Sequence, residues 1–378
     1  MKIAFIGQKD IGPEAPAGGV ETYVAELATR LAALGHQVVV YSRGGRARTY
    51  KGVKIVAVRT VEDWRWAAVV SSFWATLAAA RGGFDVIHYQ GIGPGFFVWL
   101  ARLLALFGAV RGRTSHSKIV TTFHSRDYEH RKWPWFGRWF FKTGEWVSVR
   151  LSHKVIVISR HLQEYVKARY GVVAEYLPQG VALPKPSLSG LRAYGLKSGQ
   201  YILAVNRLEP HKGLEIILEA YEQLDFKIRR EHPLVMVGAA ADLNYGAGLR
   251  RRAGRTQSIK WLRSMSRESV AGLLTHAACF VQASQSEGLS ITLLEAMAAG
   301  CPVVASDIPA NREVIKNAAQ RFRPGDQWGL TQALETAIKN VSPRRLASQA
   351  HAPELIKEYN WEKVAGEYGN LYQKLLVD

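Results

Sequence analysis

Short β-branched runs alternate along the chain with longer stretches whose apolar residues recur at helical spacing. KIAFIG, from residue 2, reads as a strand, and VETYVAELATRLAALG as an amphipathic helix ended by Gly35. HQVVVYS, FDVIHYQ, KIVTTFH and KVIVIS follow as strands, then RHLQEYVKARYG as a helix and AEYLPQG as a short strand. This alternation predicts a parallel sheet covered by helices, because a strand reaches a parallel neighbour only through a crossover. At 184–200 the text PKPSLSGLRAYGLKSGQ is rich in Pro, Ser and Gly and reads as a linker. The pattern then restarts with YILAVNR, a helix over 213–224, PLVMVG, SIKWLR and a helix over 267–277. CFVQAS, the helix SITLLEAMAA, PVVAS and a helix from near Asn311 complete the second series. The tail YNWEKVAGEYGNLYQKLL is one more amphipathic helix. Two doubly wound α/β domains in tandem are expected. Ligands of such sheets bind at the carboxyl ends of the strands, which predicts a cleft between the two domains.

The 378 residues suffice for two full-sized cores. Cys279 and Cys301 are the only cysteines, which argues against a disulfide framework and fits a reducing cytosol. The opening MKIAFIGQKDIG runs quickly into charge and glycine, as a first strand does and a signal peptide does not. A formal charge of +19 admits nucleic acid, an anionic membrane surface or a phosphate-bearing substrate as partner, besides a merely solvated surface. The apolar stretches at 66–80 and 95–110 fall short of the ~20 residues of a membrane span, and Arg102 interrupts the second. Both read as buried helices.

Candidate chemistry gathers at strand ends. The helix SITLLEAMAA has Ser290 to cap it, Gly300 to end it and Pro302 to forbid its continuation. Its side chains are otherwise small or apolar, yet Glu295 sits inside it and Glu287 just before it. A carboxylate leaving water costs several kcal/mol unless something compensates. A hydroxyl-bearing ligand at the helix N-terminus compensates both; an edge position for Glu295 and a loop position for Glu287 also fit. In LAVNRLEPHKG, Arg207 and Lys212 follow a strand and precede a helix, where two cations suit a diphosphate or stand solvated. Gly18 and Gly19 precede a helix, so backbone amides there can approach an anion. His124 ends KIVTTFH, at a carboxyl end, whereas His88 reads as a packing residue. No G-x-G-x-x-G follows the first strand and no P-loop occurs, so simple dehydrogenase and P-loop readings fail. No metal-ligand spacing appears, and no protein-bound metal is expected.

GGVET (18–22), FHSRD (123–127), NRLEPHKG (206–213) and SEGLSITLLEAMAAGCPVVASD (286–307) together resemble the GT-B glycosyltransferases of family GT4. The Glu287-x7-Glu295 spacing with the downstream G-x-P-V-V-A-S carries the likeness, which covers nearly the whole chain. It implies two Rossmann-like domains, 1–186 for the acceptor and 187–357 for the donor, with 358–378 crossing back onto the first. It further implies a nucleotide-diphosphate sugar donor, transfer with retention and no cofactor. Arg207 and Lys212 would bind the diphosphate, Glu295 the ribose hydroxyls and Glu287 the donor sugar. The amides of Gly288, Leu289, Ser290 and Ile291 would face sugar and phosphate. Gly18 and Gly19 would close on the phosphate, and His124 would touch the transferred sugar. Two departures stand out: Gln179-Gly180-Val181 replaces Asn-Gly-Val, and Ser290 replaces a glycine.

After His124, residues 131–150 mix Arg131, Lys132, Arg138, Lys142 and Arg150 with Trp133, Trp135, Trp139 and Trp146. A core helix with basic flanks, an acceptor wall and a helix lying on an anionic membrane all fit; the overall charge favours the last, at the inner face of the cell membrane with a lipid-linked acceptor. Other readings of the chain are a sugar-nucleotide epimerase and a phosphorylase, although no motif nominates a pyridoxal-phosphate lysine. A nucleic-acid binder lacks any of the usual aromatic-basic motifs, so nucleic acid is not expected as a partner.

Overall fold

Runs of Val, Ile and Tyr supply strands buried on both faces, as a helix-covered parallel sheet requires. The structure is a computed structural model describing residues 1–12, 18–43, 46–110, 117–129, 133–182, 185–239, 243–263, 265–315 and 321–377. Arg131 and Lys132 lie outside the described residues. Contacts divide the chain into Met1–Gly180 with Trp361–Asp378, and Val181–Asn360.

In the first unit β1 (Lys2–Ile6), β2 (Gln37–Arg43), β3 (Arg48–Tyr50), β4 (Val53–Val58), β5 (Val86–Gln90), β6 (Lys118–Phe123), β7 (Lys154–Val157) and β8 (Glu175–Tyr176) form one sheet. Their order is β3-β4-β2-β1-β5-β6-β7-β8, and only the β3–β4 pair is antiparallel. That hairpin turns through Lys51 and Gly52, both at positive φ. The Trp361–Val377 helix packs on the Gly19–Ala33 helix and buries Trp361, Val364, Tyr368 and Tyr372. Each contributes roughly 2 kcal/mol of apolar burial. Gly180 lies against Trp361, where a Cβ would stand 2.5 Å from the indole. Beneath the helix, Tyr372 Oη bonds His88 Nδ1 at 2.7 Å and His88 Nε2 bonds Thr122 Oγ1 at 2.7 Å. Tyr368 bonds both Thr122 and Tyr23 through its hydroxyl. His88 is thus a packing residue, and burial pushes its pKa well below the usual value.

In the second unit β9 (Ile202–Val205), β10 (Leu234–Val237), β11 (Ile259–Leu262), β12 (Cys279–Gln282), β13 (Val303–Ser306) and β14 (Arg321–Phe322) form a parallel sheet. Its order is β11-β10-β9-β12-β13-β14, so the strand order reverses between β9 and β12. That is the switch point where an open sheet splays its loops and admits a ligand.

Two expectations are corrected. The 184–200 stretch is not a free linker. It holds a short helix, Ser189–Ala193, buries Leu191, and is tied to the Arg267–His276 helix by Ser187 N donating to Glu268 O at 3.0 Å. Gly272 makes this approach possible, since a Cβ there would lie 2.1 Å from Ser187 O. Nor are the two apolar stretches buried helices. The Trp64–Arg81 and Val98–Val110 helices carry apolar residues on all sides, so the side turned away from the sheet exposes Trp66, Phe73, Trp74, Trp99, Leu103 and Leu106. Among the described residues no helix is long and apolar enough to cross a membrane.

Candidate functional site

The second unit gathers its predicted residues at the β9–β12 switch. Past β9, Arg207 projects with about half its side chain in solvent, 3.6 Å from the Glu209 carboxylate. A short 3-10 turn, Pro210–Lys212, then delivers Lys212. The turn exits through Gly213 at φ +65°, and a Cβ there would fall 2.2 Å from Ala283 O, so geometry and space both call for glycine. This closeness lays the β9 loop against the end of β12. Lys212 Nζ donates to Glu287 Oε1 at 2.6 Å, with 13% and 10% of the two side chains exposed.

The same carboxylate oxygen accepts from Ser284 Oγ at 2.7 Å and from Gln282 Nε2 at 3.3 Å. The other face of the Gln282 amide accepts from Ser290 Oγ at 3.0 Å. Ser290 meanwhile caps the Ile291–Ala298 helix, accepting from Leu293 N at 3.3 Å, a contact worth about 1 kcal/mol. Glu287 is therefore held through one oxygen, and the orienting donors converge on Oε1. Gln282 and Ser284 were not singled out in the sequence, because a buried amide inside CFVQAS reads as ordinary strand text.

Glu295 lies one turn into the same helix, and its Oε1 accepts from Arg267 Nη2 at 3.2 Å. Arg267 also donates to Ala182 O at 3.0 Å. Each of the two puzzling glutamates thus has a cation from elsewhere in the chain, Lys212 for Glu287 and Arg267 for Glu295. The protein itself supplies compensation that sequence reasoning looked for in a ligand. Arg267 was missed because only the fold brings it to Glu295. The amides of Gly288 to Ile291 sit at the helix N-terminus, where the positive end of the dipole favours an anion. Among the described residues no group of three His, Cys, Asp or Glu is placed to hold a metal ion.

The first unit holds Gly18, Gly19 and His124. Gly18 is the N-cap of the Gly19–Ala33 helix, with extended backbone and no side-chain cap. Glu21 folds back over it, so closely that a Cβ on Gly18 would lie 2.0 Å from Glu21 Oε2. Lys9 N donates to Glu21 Oε1 at 3.1 Å. A carboxylate already sits in this first turn, and an incoming anion must move it. His124 follows β6, with Tyr23 edge-on at 4.7 Å and Nε2 2.9 Å from Gln90 Oε1. An amide oxygen accepts, so Nε2 carries the proton and Nδ1 keeps the lone pair. Burial lowers the His124 pKa to about 3, so the ring is neutral near neutrality and serves as a hydrogen-bonding group rather than an acid.

The fold and these clusters define a class: paired parallel α/β domains with an anion-receptive helix N-terminus at the switch point of the second. Residues 17–183 match the family model Glycosyltransferase Family 4, and residues 193–351 match Glycosyl transferases group 1. The chain belongs to these family 4, group 1 glycosyltransferases and has the GT-B fold. It is 25% identical over 369 residues to the phosphatidyl-myo-inositol mannosyltransferase of Mycobacterium leprae, covering 94% of this chain and 93% of that protein. It is 28% identical over 314 residues to the GDP-mannose:cellobiosyl-diphosphopolyprenol alpha-mannosyltransferase of Xanthomonas campestris, covering 80% and 77%. With the O-antigen chain mannosyltransferase B of Escherichia coli it shares 28% identity over 213 residues, about half of each protein at 56% and 54%. Among solved structures, the sucrose-phosphate synthase of Thermosynechococcus elongatus aligns with a TM-score of 0.81 at 20% identity, covering 100% of this chain and 99% of that one. Anabaena HepE, in complex with UDP and glucose, gives 0.77 at 16% identity over 99% and 100%. At such identities the structural likeness speaks for the fold.

Proposed function

We propose that the protein is a retaining, metal-independent hexosyltransferase that moves a sugar from a nucleotide-diphosphate sugar to a lipid-linked or other glycan acceptor at the cytoplasmic face of a membrane. The observation that carries this reading is the Lys212–Glu287 pair beside the amide-rich start of the Ile291–Ala298 helix. Arg207, Lys212 and the amides of Gly288 to Ile291 offer cations and N–H donors to a departing diphosphate. Each such donor is typically worth about 3 kcal/mol of transition-state stabilisation. Glu287 accepts hydroxyls of the donor sugar, and Glu295 those of the ribose. In the first domain, the reading gives Gly18 and Gly19 a phosphate and His124 the transferred sugar.

In the reaction the anomeric C–O bond to the diphosphate breaks and the acceptor oxygen bonds to the same carbon. The acceptor's proton passes to the leaving phosphate oxygen, which makes a separate base unnecessary. The names of the Mycobacterium and Xanthomonas relatives favour a mannosyl donor and a lipid-borne acceptor. An epimerase or a soluble-acceptor enzyme of the same fold is the second reading.

Incubation with GDP-mannose, UDP-glucose and related donors, plus a polyprenyl-linked or glycolipid acceptor, tests this. The expected product is a glycoside with the donor's anomeric configuration by NMR and one nucleoside diphosphate released per sugar, unaffected by EDTA. Inverted configuration, or activity lost to EDTA and restored by Mg2+ or Mn2+, overturns the respective claim.

A further inference from the structure

Among the described residues, three helices of the first domain each leave an apolar stripe partly exposed. The Trp64–Arg81 helix exposes Trp66, Phe73 and Trp74; the Val98–Val110 helix exposes Trp99, Leu103 and Leu106; the Trp135–Leu151 helix exposes Trp135, Phe136, Trp139 and Trp146. Within each helix the spacing puts these residues along one side. Trp135 is 80% and Leu106 66% exposed, so the side chains stand in water rather than graze it.

Two of the stripes meet, and the Val98–Val110 helix packs beside both of their helices. Trp66 meets Phe136 across two helices at 6.3 Å, and Phe136 stacks on Trp139 at 5.8 Å. Deeper, Phe73 meets Phe97 at 5.9 Å and Phe96 meets Phe140 at 4.7 Å, which joins the same two helices through the turn between them. An exposed apolar surface of this extent marks an interaction site.

Charge decides what covers it. The three helices contain one carboxylate, Glu145, which is buried and accepts from Tyr165 Oη at 2.8 Å and Tyr170 Oη at 2.6 Å. Arg138, Lys142 and Arg150 are exposed beside the stripe, and the Arg59 guanidinium lies 5.1 Å over Trp74. In sequence, the carboxylates that come just before these helices are Glu62 and Asp63 before the first, and Asp127 and Glu129 before the third, where Glu129 pairs with Arg126. A cationic rim repels a second copy of itself but suits an anionic bilayer. Indoles favour the headgroup zone, and each basic side chain near such a surface contributes about 1 kcal/mol.

The topology adds an orientation. The helices follow β4, β5 and β6, and a crossover helix starts where its strand ends. Trp66, Trp99 and Trp135 all fall in first turns, hence at the carboxyl edge of the sheet, the edge at which His124 follows β6. We propose that Trp66, Trp99, Trp135 and Trp139, with the cations around them, seat this edge of the first domain on an anionic bilayer. The surface is built from three helices rather than from the 131–150 segment alone, and insertion is shallow because no helix here spans. The inference rests on the lipid-linked acceptor reading above and supplies its geometry: a bilayer at this edge holds a lipid-borne sugar where the sheet ends.

The test is flotation of the full chain with vesicles of phosphatidylcholine alone or with about one-third phosphatidylglycerol, together with tryptophan quenching by brominated lipids. Binding should require phosphatidylglycerol, fall with salt, and bring quenching of the indoles. A Trp66→Ser, Trp99→Ser, Trp135→Ser variant with unchanged circular dichroism should bind at least about tenfold more weakly. Arg138→Glu with Lys142→Glu, both at the surface, should weaken binding to the anionic vesicles without touching the aromatic core. Absence of vesicle binding at low salt, binding without quenching, or a dimer dispersed by the tryptophan substitutions would each overturn the proposal. Nucleoside-diphosphate binding, measured on the same preparations, reports separately on the second domain: its retention without vesicle binding sinks this inference alone, and its loss sinks the transferase reading.

Discussion

Lys212→Ala should lower the rate of sugar transfer by about a hundred- to thousandfold, the usual effect of removing one preorganised donor from a departing charge. The substitution acts twice. On the proposed reading it removes a cation from the diphosphate, and it strips Glu287 of its closest partner, leaving Ser284 and Gln282 to hold a largely buried carboxylate. A stability loss of about 1–3 kcal/mol should accompany the kinetic one. Lys212→Arg, which keeps the charge with a different reach, should restore the stability more fully than the rate. Arg207→Ala serves as the comparison. Arg207 is half exposed and meets Glu209 only at 3.6 Å, so its loss should impair donor binding and transfer while leaving the melting temperature nearly unchanged. Steady-state kinetics and thermal melts on the three variants check the pattern. Full activity in Lys212→Ala would remove this lysine from the chemistry.

Glu287→Gln should lower kcat by about a hundredfold while nucleoside-diphosphate affinity holds or improves. Glutamine keeps the shape and still accepts from Ser284, but it gives Lys212 no charge to pair with, so the ammonium turns toward the diphosphate. The loss should appear with the sugar in place and vanish for the nucleotide without it. Glu295→Gln should behave in the opposite sense. It removes the charge that faces Arg267 and weakens binding of the nucleotide itself, with a smaller effect on kcat. Binding titrations with and without the sugar moiety separate the two glutamates; identical profiles would cancel the division of labour.

How much of this was legible in the sequence depended on the range of the interaction. Strand and helix identity came through well, because burial on both faces and helical periodicity are local signals. The Ser290 cap was read correctly for the same reason: capping joins residues three apart. Partners set by the fold were invisible. Lys212 and Glu287 are 75 residues apart, and only the close approach that Gly213 permits brings them together. Arg267 reaches Glu295 because two helices pack, and nothing near RESVAGLL announces it. Composition misled in two places. Pro, Ser and Gly at 184–200 suggested a linker, although Leu191 is buried there and the Ser189–Ala193 helix packs on the Arg267–His276 helix. Continuous apolar text at 66–80 and 95–110 suggested burial, but a helix apolar all round has one side the sheet cannot cover.

The central claim is that the carboxyl edge of the second sheet holds the diphosphate of a sugar nucleotide. The most direct measurement is thermal stability with GDP, UDP and ADP and their mannose and glucose derivatives, since a ligand bound only by the folded state raises it by mass action. The account predicts that at least one nucleoside diphosphate and its sugar derivative raise the melting temperature in a concentration-dependent way and compete with each other. Arg207→Ala and Lys212→Ala should reduce that shift, and EDTA should leave it intact. No shift with any of them, or a shift indifferent to both substitutions, would contradict it.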